Sequence, residues 1–272
     1  MKIPPFLGAV ALASVFTLQA VTTHAALINF DNNTDLTNNF IQAGSTGSGT
    51  LALQAASVGI GSPASGGVTL GNADRNWNLN TSTYDLSATG PGTFQISSYF
   101  KPNGLVSSPT GLYLGFSAAP TTNTTGGAGW FGMRLNFTNV GTFLFTPRTD
   151  NGNGTDSGTF TSSSANWYKF TVDIVRSATL NTFNVTGKVD NYGTNGITTP
   201  NLVGTYSASV INSALWLDNS ANAGFRAPSG NGVGALDNFE VTAVPEPTTV
   251  ISGLAIALVG LATMLRRRSL NS

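Results

Sequence analysis

Cysteine is absent from the 272 residues. Disulfides, thiol nucleophiles and thiolate metal sites are therefore excluded. Histidine occurs once, as His24, and glutamate only twice, as Glu240 and Glu246. With no histidine after residue 24, a serine triad lacks its base and a zinc site its commonest ligand. Glycoside hydrolysis needs a pair of carboxylates flanking the scissile bond, one of them held protonated. Glu240 stands alone on the last strand pattern, and no spacing of aspartates singles out a substitute pair. Charge is scarce at 9% of residues, and no basic stripe is present, so nucleic acid finds no electrostatic footprint. The chain is expected to be non-catalytic, with no nucleic-acid partner and no required cofactor.

The two ends carry the long apolar runs. At the start, Lys2 is followed by the apolar Phe6–Leu18 and by Thr23-His24-Ala25, a small-x-Ala site before Ala26. That order predicts a secretory signal peptide over 1–25, cut by signal peptidase between Ala25 and Ala26. At the end, Val250–Leu265 contains neither charge nor proline. With Thr248 and Thr249 it could form a helix of about 27 Å, at about 1.5 Å per residue. That approaches the roughly 30 Å of a hydrocarbon core and predicts one transmembrane helix over 248–265. Arg266, Arg267 and Arg268 would then sit in the cytoplasmic headgroups, leaving the body across the membrane.

The order Val244-Pro245-Glu246-Pro247-Thr248, apolar span, arginine cluster, chain end resembles the PEP-CTERM sorting signal of Gram-negative bacteria. Its tail domain is also labelled ice-binding protein C-terminal, after some of the cargo it follows. The resemblance covers 244–272, about a tenth of the chain. It implies recognition by a membrane-embedded exosortase, cleavage near Pro-Glu-Pro, and a product directed to the cell surface or extracellular matrix. Proteins of this group are often associated with exopolysaccharide.

Between the ends lie 218 residues, 26–243, with eight positive and eleven negative charges. Gly, Ser, Thr and Asn separate short apolar runs, the texture of strands and turns. Phe94, Ile96, Ser98 and Phe100 alternate on one face of Thr93–Phe100, and Leu112, Leu114 and Phe116 on one face of Leu112–Phe116. Tyr168, Phe170, Val172 and Ile174 share a face in Tyr168–Arg176, as do Phe183, Val185, Gly187 and Val189 in Thr182–Asp190. Met133–Phe137 and Thr142–Thr146 flank a turn at Thr138–Gly141. Strict period two over such lengths predicts half-buried antiparallel strands. Further strands are expected at Ala26–Phe30, Thr50–Gln54, Val68–Leu70, around Trp77 and Leu79, at Leu202–Tyr206, Leu215–Leu217 and Phe225, and at Gly234–Thr242. In the last, Phe239 and Val241 should share a face with Ala235 and Asp237. Asp31–Ser48 reads as a loop.

About twelve strands predict an all-β fold, a single two-sheet antiparallel sandwich of jelly-roll type. A parallel β-helix would need a repeated rung, and none is present. The segments Trp167–Ile174, Phe183–Asp190 and Leu236-Asp237-Asn238-Phe239-Glu240-Val241 resemble the concanavalin A-like or laminin-G-like sandwich. In that fold the first and last strands often lie side by side, which implies pairing of Ala26–Phe30 with Leu236–Val241. Glucanases of that fold carry a Glu-x-Asp-x-Glu strand, which is missing here.

Sugar binding calls for flat aromatics beside amides and carboxylates. Trp130 and Phe131 follow the glycine-rich Thr121–Gly129, and Trp77 neighbours Asp74, Arg75 and Asn78. All three are candidates to face carbohydrate, although large aromatics are usually mostly buried. Asp150, Asn153 and Asp156 in Asp150-Asn151-Gly152-Asn153-Gly154-Thr155-Asp156 offer oxygen ligands of the kind calcium takes. Gly152 replaces the third EF-hand ligand and the bidentate Glu is missing, which leaves a polar hairpin turn as the other reading. The sequence thus supports an exported, adhesive or exopolysaccharide-associated surface protein, or a lectin-like module with a defined sugar site.

Overall fold

In a computed structural model of the chain, the described residues are 25–46, 53–69, 74–102, 110–121, 129–139, 141–227 and 233–244. Sixteen strands are present among them: β1 (Ala25–Ile28), β2 (Phe40–Thr46), β3 (Leu53–Ala55), β4 (Gly67–Thr69), β5 (Asp74–Leu79), β6 (Thr93–Pro102), β7 (Thr110–Ser117) and β8 (Trp130–Asn139). There follow β9 (Thr142–Thr149), β10 (Gly152–Asn153), β11 (Phe160–Thr161), β12 (Tyr168–Arg176), β13 (Thr182–Asn191), β14 (Asn201–Ile211), β15 (Asn222–Ala227) and β16 (Val233–Val244). Two short helices, α1 (Asp35–Asn39) and α2 (Ser213–Trp216), complete the described elements.

The strands form two antiparallel sheets of eight. The first runs β14-β13-β12-β6-β16-β4-β3, with β1 also along β16, and the second runs β10-β9-β8-β7-β15-β5-β2, with β11 also along β9. The alternation read from sequence fixes which face is which. Phe94, Ile96 and Phe100 of β6, and Phe170, Val172 and Ile174 of β12, meet Leu114, Phe116, Phe131, Met133 and Phe145 of the second sheet in one core. Aromatic rings interlock there: Phe131 on Phe183 at 4.3 Å and Phe94 edge-on to Phe116 at 5.3 Å. Ala25–Ile28 pairs with Thr242–Phe239, so the first and last strands do lie side by side.

Three local expectations fail. Of the segment 31–48 expected as a loop, the described residues 31–46 contain α1 and the edge strand β2, whose Phe40 is buried between Phe225 and Phe239. Leu215 belongs to α2 and not to a strand. Asn212 caps that helix by accepting from Leu215 N at 3.0 Å, and so diverts the apolar run into a helical turn. In β16 a bulge between Asp237 and Glu240 reverses the parity of the strand. Asn238 takes φ 47°, a value Asn tolerates better than most residues. Phe239 and Val241 therefore join Leu236 in the core, and not Ala235 and Asp237.

The expected signal peptide, but for Ala25, and most of the tail expected to act in sorting lie outside the described residues. Of the residues expected to act in sorting, Val244 ends β16 opposite Thr93, while Pro245, Glu246, Pro247, Thr248 and Arg266–Arg268 fall beyond it. Ala25 and Ala26, flanking the expected cleavage point, pair with Thr242 and Val241. The predicted span over 248–265 also falls outside, and no helix among the described residues is long and apolar enough to cross a membrane.

Candidate functional site on the outer face of the second sheet

The core side of the second sheet takes every second residue of β7, β8, β9, β15 and β5. The alternate residues project outward, and strand register arranges them in rows. One row is glycine: Gly132 of β8, Gly115 of β7 and Gly224 of β15 stand opposite one another. These strands approach too closely for side chains. A Cβ on Gly115 would lie 2.0 Å from the Phe131 carbonyl oxygen, and one on Gly224 would lie 2.5 Å from that of Trp77. The result is a bare strip of backbone. Arg148 of β9 closes the row at one end, opposite Gly132, and Asn78 of β5 closes it at the other, opposite Gly224.

The next row is Thr146, Arg134, Tyr113, Arg226 and Asn76, contributed by β9, β8, β7, β15 and β5. Arg134 Nη1 donates to Tyr113 Oη at 3.0 Å. The Arg134 and Arg226 guanidinium carbons lie 5.5 and 5.1 Å from the centre of the Tyr113 ring, within cation–π range. On the other side of the strip stand Trp130, Ser117 and Asn222.

For an outer face this surface is well buried: Arg148 is 7% exposed, Trp130 1% and Asn78 0%. Arg134 is half-buried, so the face is most open on its side. Polar atoms buried in this way normally have partners, because leaving one unpaired costs about 1–3 kcal/mol. Here Arg148 Nε, Trp130 Nε1 and Asn78 Oδ1 have none. Of the other atoms of these groups, Arg148 Nη1 donates to Asn153 Oδ1 at 2.9 Å, and Asn78 Nδ2 to the Pro120 carbonyl at 2.9 Å. Burial holds the Arg148 pKa below its ordinary value, and the neighbouring Arg226 and Arg134 charges add to this against the opposing influence of Tyr113.

The residues read from sequence as sugar-facing are dispersed. Phe131 and Trp77 point into the core, Phe131 against Phe183 and Trp77 against Phe225 at 6.4 Å. Period two forces this outcome, because each flanks an outward residue on its strand. Only Trp130 is on the outer face. Asp150, Asn153 and Asp156 each have other work. Asp150 Oδ2 accepts from Ser213 N at 2.9 Å at the start of α2, Asn153 accepts from Arg148, and Asp156 Oδ1 accepts from Thr146 Oγ1 at 2.6 Å. Among the described residues no group of three His, Cys, Asp or Glu side chains could hold a metal ion. The segment is a hairpin turn in which β10 folds back on Thr149 and Arg148.

Sequence reasoning missed Arg134, Arg148, Arg226 and Tyr113. The available signal was parity: each occupies an outward position on a strand whose inward positions are apolar. A second polar recess lies at the other sheet. The loop Ser57–Gly66 closes a cleft of about 310 Å³ with Lys101, Trp167 and Asn195, and Asp237 holds that loop from below through Ile60 N and Ser65 Oγ, both at 2.9 Å.

No family model matches the chain, and no curated protein does. Among solved structures the chain is similar to a protein of unknown function from Shewanella oneidensis MR-1, at 16% identity and a TM-score of 0.52, over 89% of this chain and 96% of that one. It also aligns with arcelin-5, a lectin-like defense protein from Phaseolus vulgaris, at 13% identity and a TM-score of 0.47, over 83% and 100% of the two chains. A lectin from Bauhinia forficata in complex with GalNAc aligns at 10% identity and a TM-score of 0.46, over 82% and 99%. At 16% identity the likeness to the Shewanella oneidensis protein concerns the fold alone.

Proposed function

We propose that this chain is an exported, non-catalytic binding protein of a Gram-negative cell surface or extracellular matrix. Its concanavalin A-like sandwich holds carbohydrate on the outer face of the second sheet. The observation that carries the reading is the glycine strip bordered by the unpaired Arg148 Nε, Trp130 Nε1 and Asn78 Oδ1. Two of these atoms donate and one accepts. A run of sugar hydroxyls, each able to do both, is the ligand chemistry that satisfies all three. These fixed polar atoms favour a defined sugar site over diffuse adhesion. A glycan array probed with the purified chain is expected to give selective binding, and uniform signal across neutral and charged glycans would refute it.

Export and sorting rest on the two termini. The PEP-CTERM-like tail, 244–272, makes exosortase the processing partner, with the membrane as its station before cleavage and the surface or matrix as its destination. Fractionation with terminal mass spectrometry, in hosts with and without exosortase, is expected to show loss of the tail only when the enzyme is present. Full-length chain recovered unchanged from both hosts would defeat this part.

A further inference from the structure

We propose that the cleft on the outer face of the first sheet is a second ligand site, and that it takes a single sugar ring carrying one carboxylate, held by Lys101. The cleft lies on the opposite sheet from the face described above and does not depend on the reading given to that face. After residue 2 the chain has three lysines, Lys101, Lys169 and Lys188. They stand on β6, β12 and β13, each next to a core residue (Phe100, Phe170 and Val189), so all three project from the outer face of the first sheet. Two of them are paired. Lys169 Nζ is 3.4 Å from Glu240 Oε2, and Lys188 Nζ is 2.8 Å from Asp190 Oδ2. Among the described residues Lys101 has no carboxylate at ion-pair distance, and it is the lysine that lines the cleft. Asp237, under the same loop, gives its oxygens to Ile60 N, Ser65 Oγ and Asn238 N.

The walls of the cleft are fixed to one another. Gly61 N donates to the Asn195 carbonyl at 2.7 Å, which ties the loop Ser57–Gly66 to the segment after β13. Ser65 N donates to the Ile60 carbonyl at 2.8 Å and Gly59 N to that of Ser65 at 3.0 Å, so the loop closes on itself. A ligand finds these walls in place and does not have to order them. The volume of about 310 Å³ is at the lower end of small-molecule sites, which span roughly 300–1,000 Å³, and suits one ring and not a chain. Three features set the ligand's chemistry, all on half-buried or exposed side chains. Lys101 supplies one unpaired positive charge, which one carboxylate balances and a doubly charged phosphate would exceed. Ser57, Ser62 and Thr194 present hydroxyls that can donate to or accept from those of a sugar. Val58 and Ala64 offer apolar contact to the carbon face of the ring.

The test follows the side-chain resonances of isotope-labelled lysines in the full-length chain by NMR, as galacturonate, galactose or acetate is added at low salt. Galacturonate is expected to move the Lys101 signal, identified by its loss in Lys101→Gln, and to leave those of Lys169 and Lys188 in place. Galactose and acetate are expected to bind at least tenfold more weakly, and Lys101→Gln to lose at least tenfold of the galacturonate affinity. If Lys101→Gln melts early, Lys101→Arg identifies the signal, and the shift in the unaltered chain decides. Sugar bound with every lysine signal unmoved would overturn the cleft and leave the face of the second sheet standing. Equal binding of galactose would overturn the role of the charge, and equal binding of acetate would overturn the sugar in favour of any small carboxylate. Galacturonate bound as tightly by Lys101→Gln would overturn the assignment to Lys101.

Discussion

Phe131→Ala is expected to lower the free energy of unfolding by about 3–5 kcal/mol, the usual cost of truncating a buried phenylalanine. The ring is 0% exposed, stacked on Phe183 with centroids 4.3 Å apart and planes 20° apart. It is also 6.2 Å from Phe116, on the neighbouring strand. Phe183 comes from the opposite sheet, so the stack bridges the two layers, and its loss opens a cavity between them. The neighbours cannot collapse freely into that space, because β7 and β8 are held backbone to backbone along the glycine row. Urea melts of the variant should show a lower midpoint with an unchanged slope. A shift smaller than about 1 kcal/mol, together with lost glycan binding, would mean the ring faces ligand and not the core, as its place beside a glycine-rich loop suggests from sequence alone.

Much of the fold was legible because two physical signals agreed. In β6, β12 and β13 the alternation of large apolar residues with polar ones runs for eight residues or more, and register follows from which face must be buried. The adjacency of β1 and β16 was legible only through the resemblance to a known sandwich, since nothing in AALI specifies its partner. What failed was short or interrupted. A run such as Ser213-Ala-Leu-Trp216 is too brief for period two and period 3.6 to differ, so the cap at Asn212 decides. The parity of β16 is reversed by one residue, Asn238, and a strand pattern cannot reveal a bulge it does not expect.

The site was harder to read for a different reason. Tyr113, Arg134, Arg148 and Arg226 are scattered along more than a hundred residues and share no motif. They converge because the sheet order β9-β8-β7-β15 sets an early strand pair beside a late strand. The long connection from β9 to β15, which passes through three strands of the other sheet, hides that neighbourhood from any local window. Glycines at outward positions were equally silent. A glycine in a strand pattern normally reads as a weakness or a bulge. Only the register shows that three of them align.

Asp237→Ala is expected to destabilise the protein by on the order of 3 kcal/mol in acid, and by less as pH rises. The side chain is 0% exposed and closes a contact across 177 residues of sequence. Oδ2 accepts from Ile60 N and Ser65 Oγ, and Oδ1 accepts from Asn238 N at 2.7 Å, inside the bulge. Alanine would leave two backbone amides without acceptors and release the loop that roofs the cleft at Lys101 and Trp167. Burial raises the carboxyl pKa above its ordinary value. Those three hydrogen bonds pull it down and the nearby Asp31 charge pushes it up, but burial dominates. A carboxyl whose folded pKa is raised gives its full stability below the unfolded value and loses it as pH climbs through the folded value. The protonated acid also has a place in the geometry. Ser65 Oγ lies 2.8 Å from the Ile60 carbonyl, so it can donate there while accepting a hydrogen bond from the protonated Oδ2. The wild type should therefore lose part of its advantage over Asp237→Ala as pH rises above about 4, the ordinary aspartate value, read as a narrowing gap between their melting curves. A gap that widens over that range would show that the three donors outweigh burial and hold Asp237 as a stabilised anion.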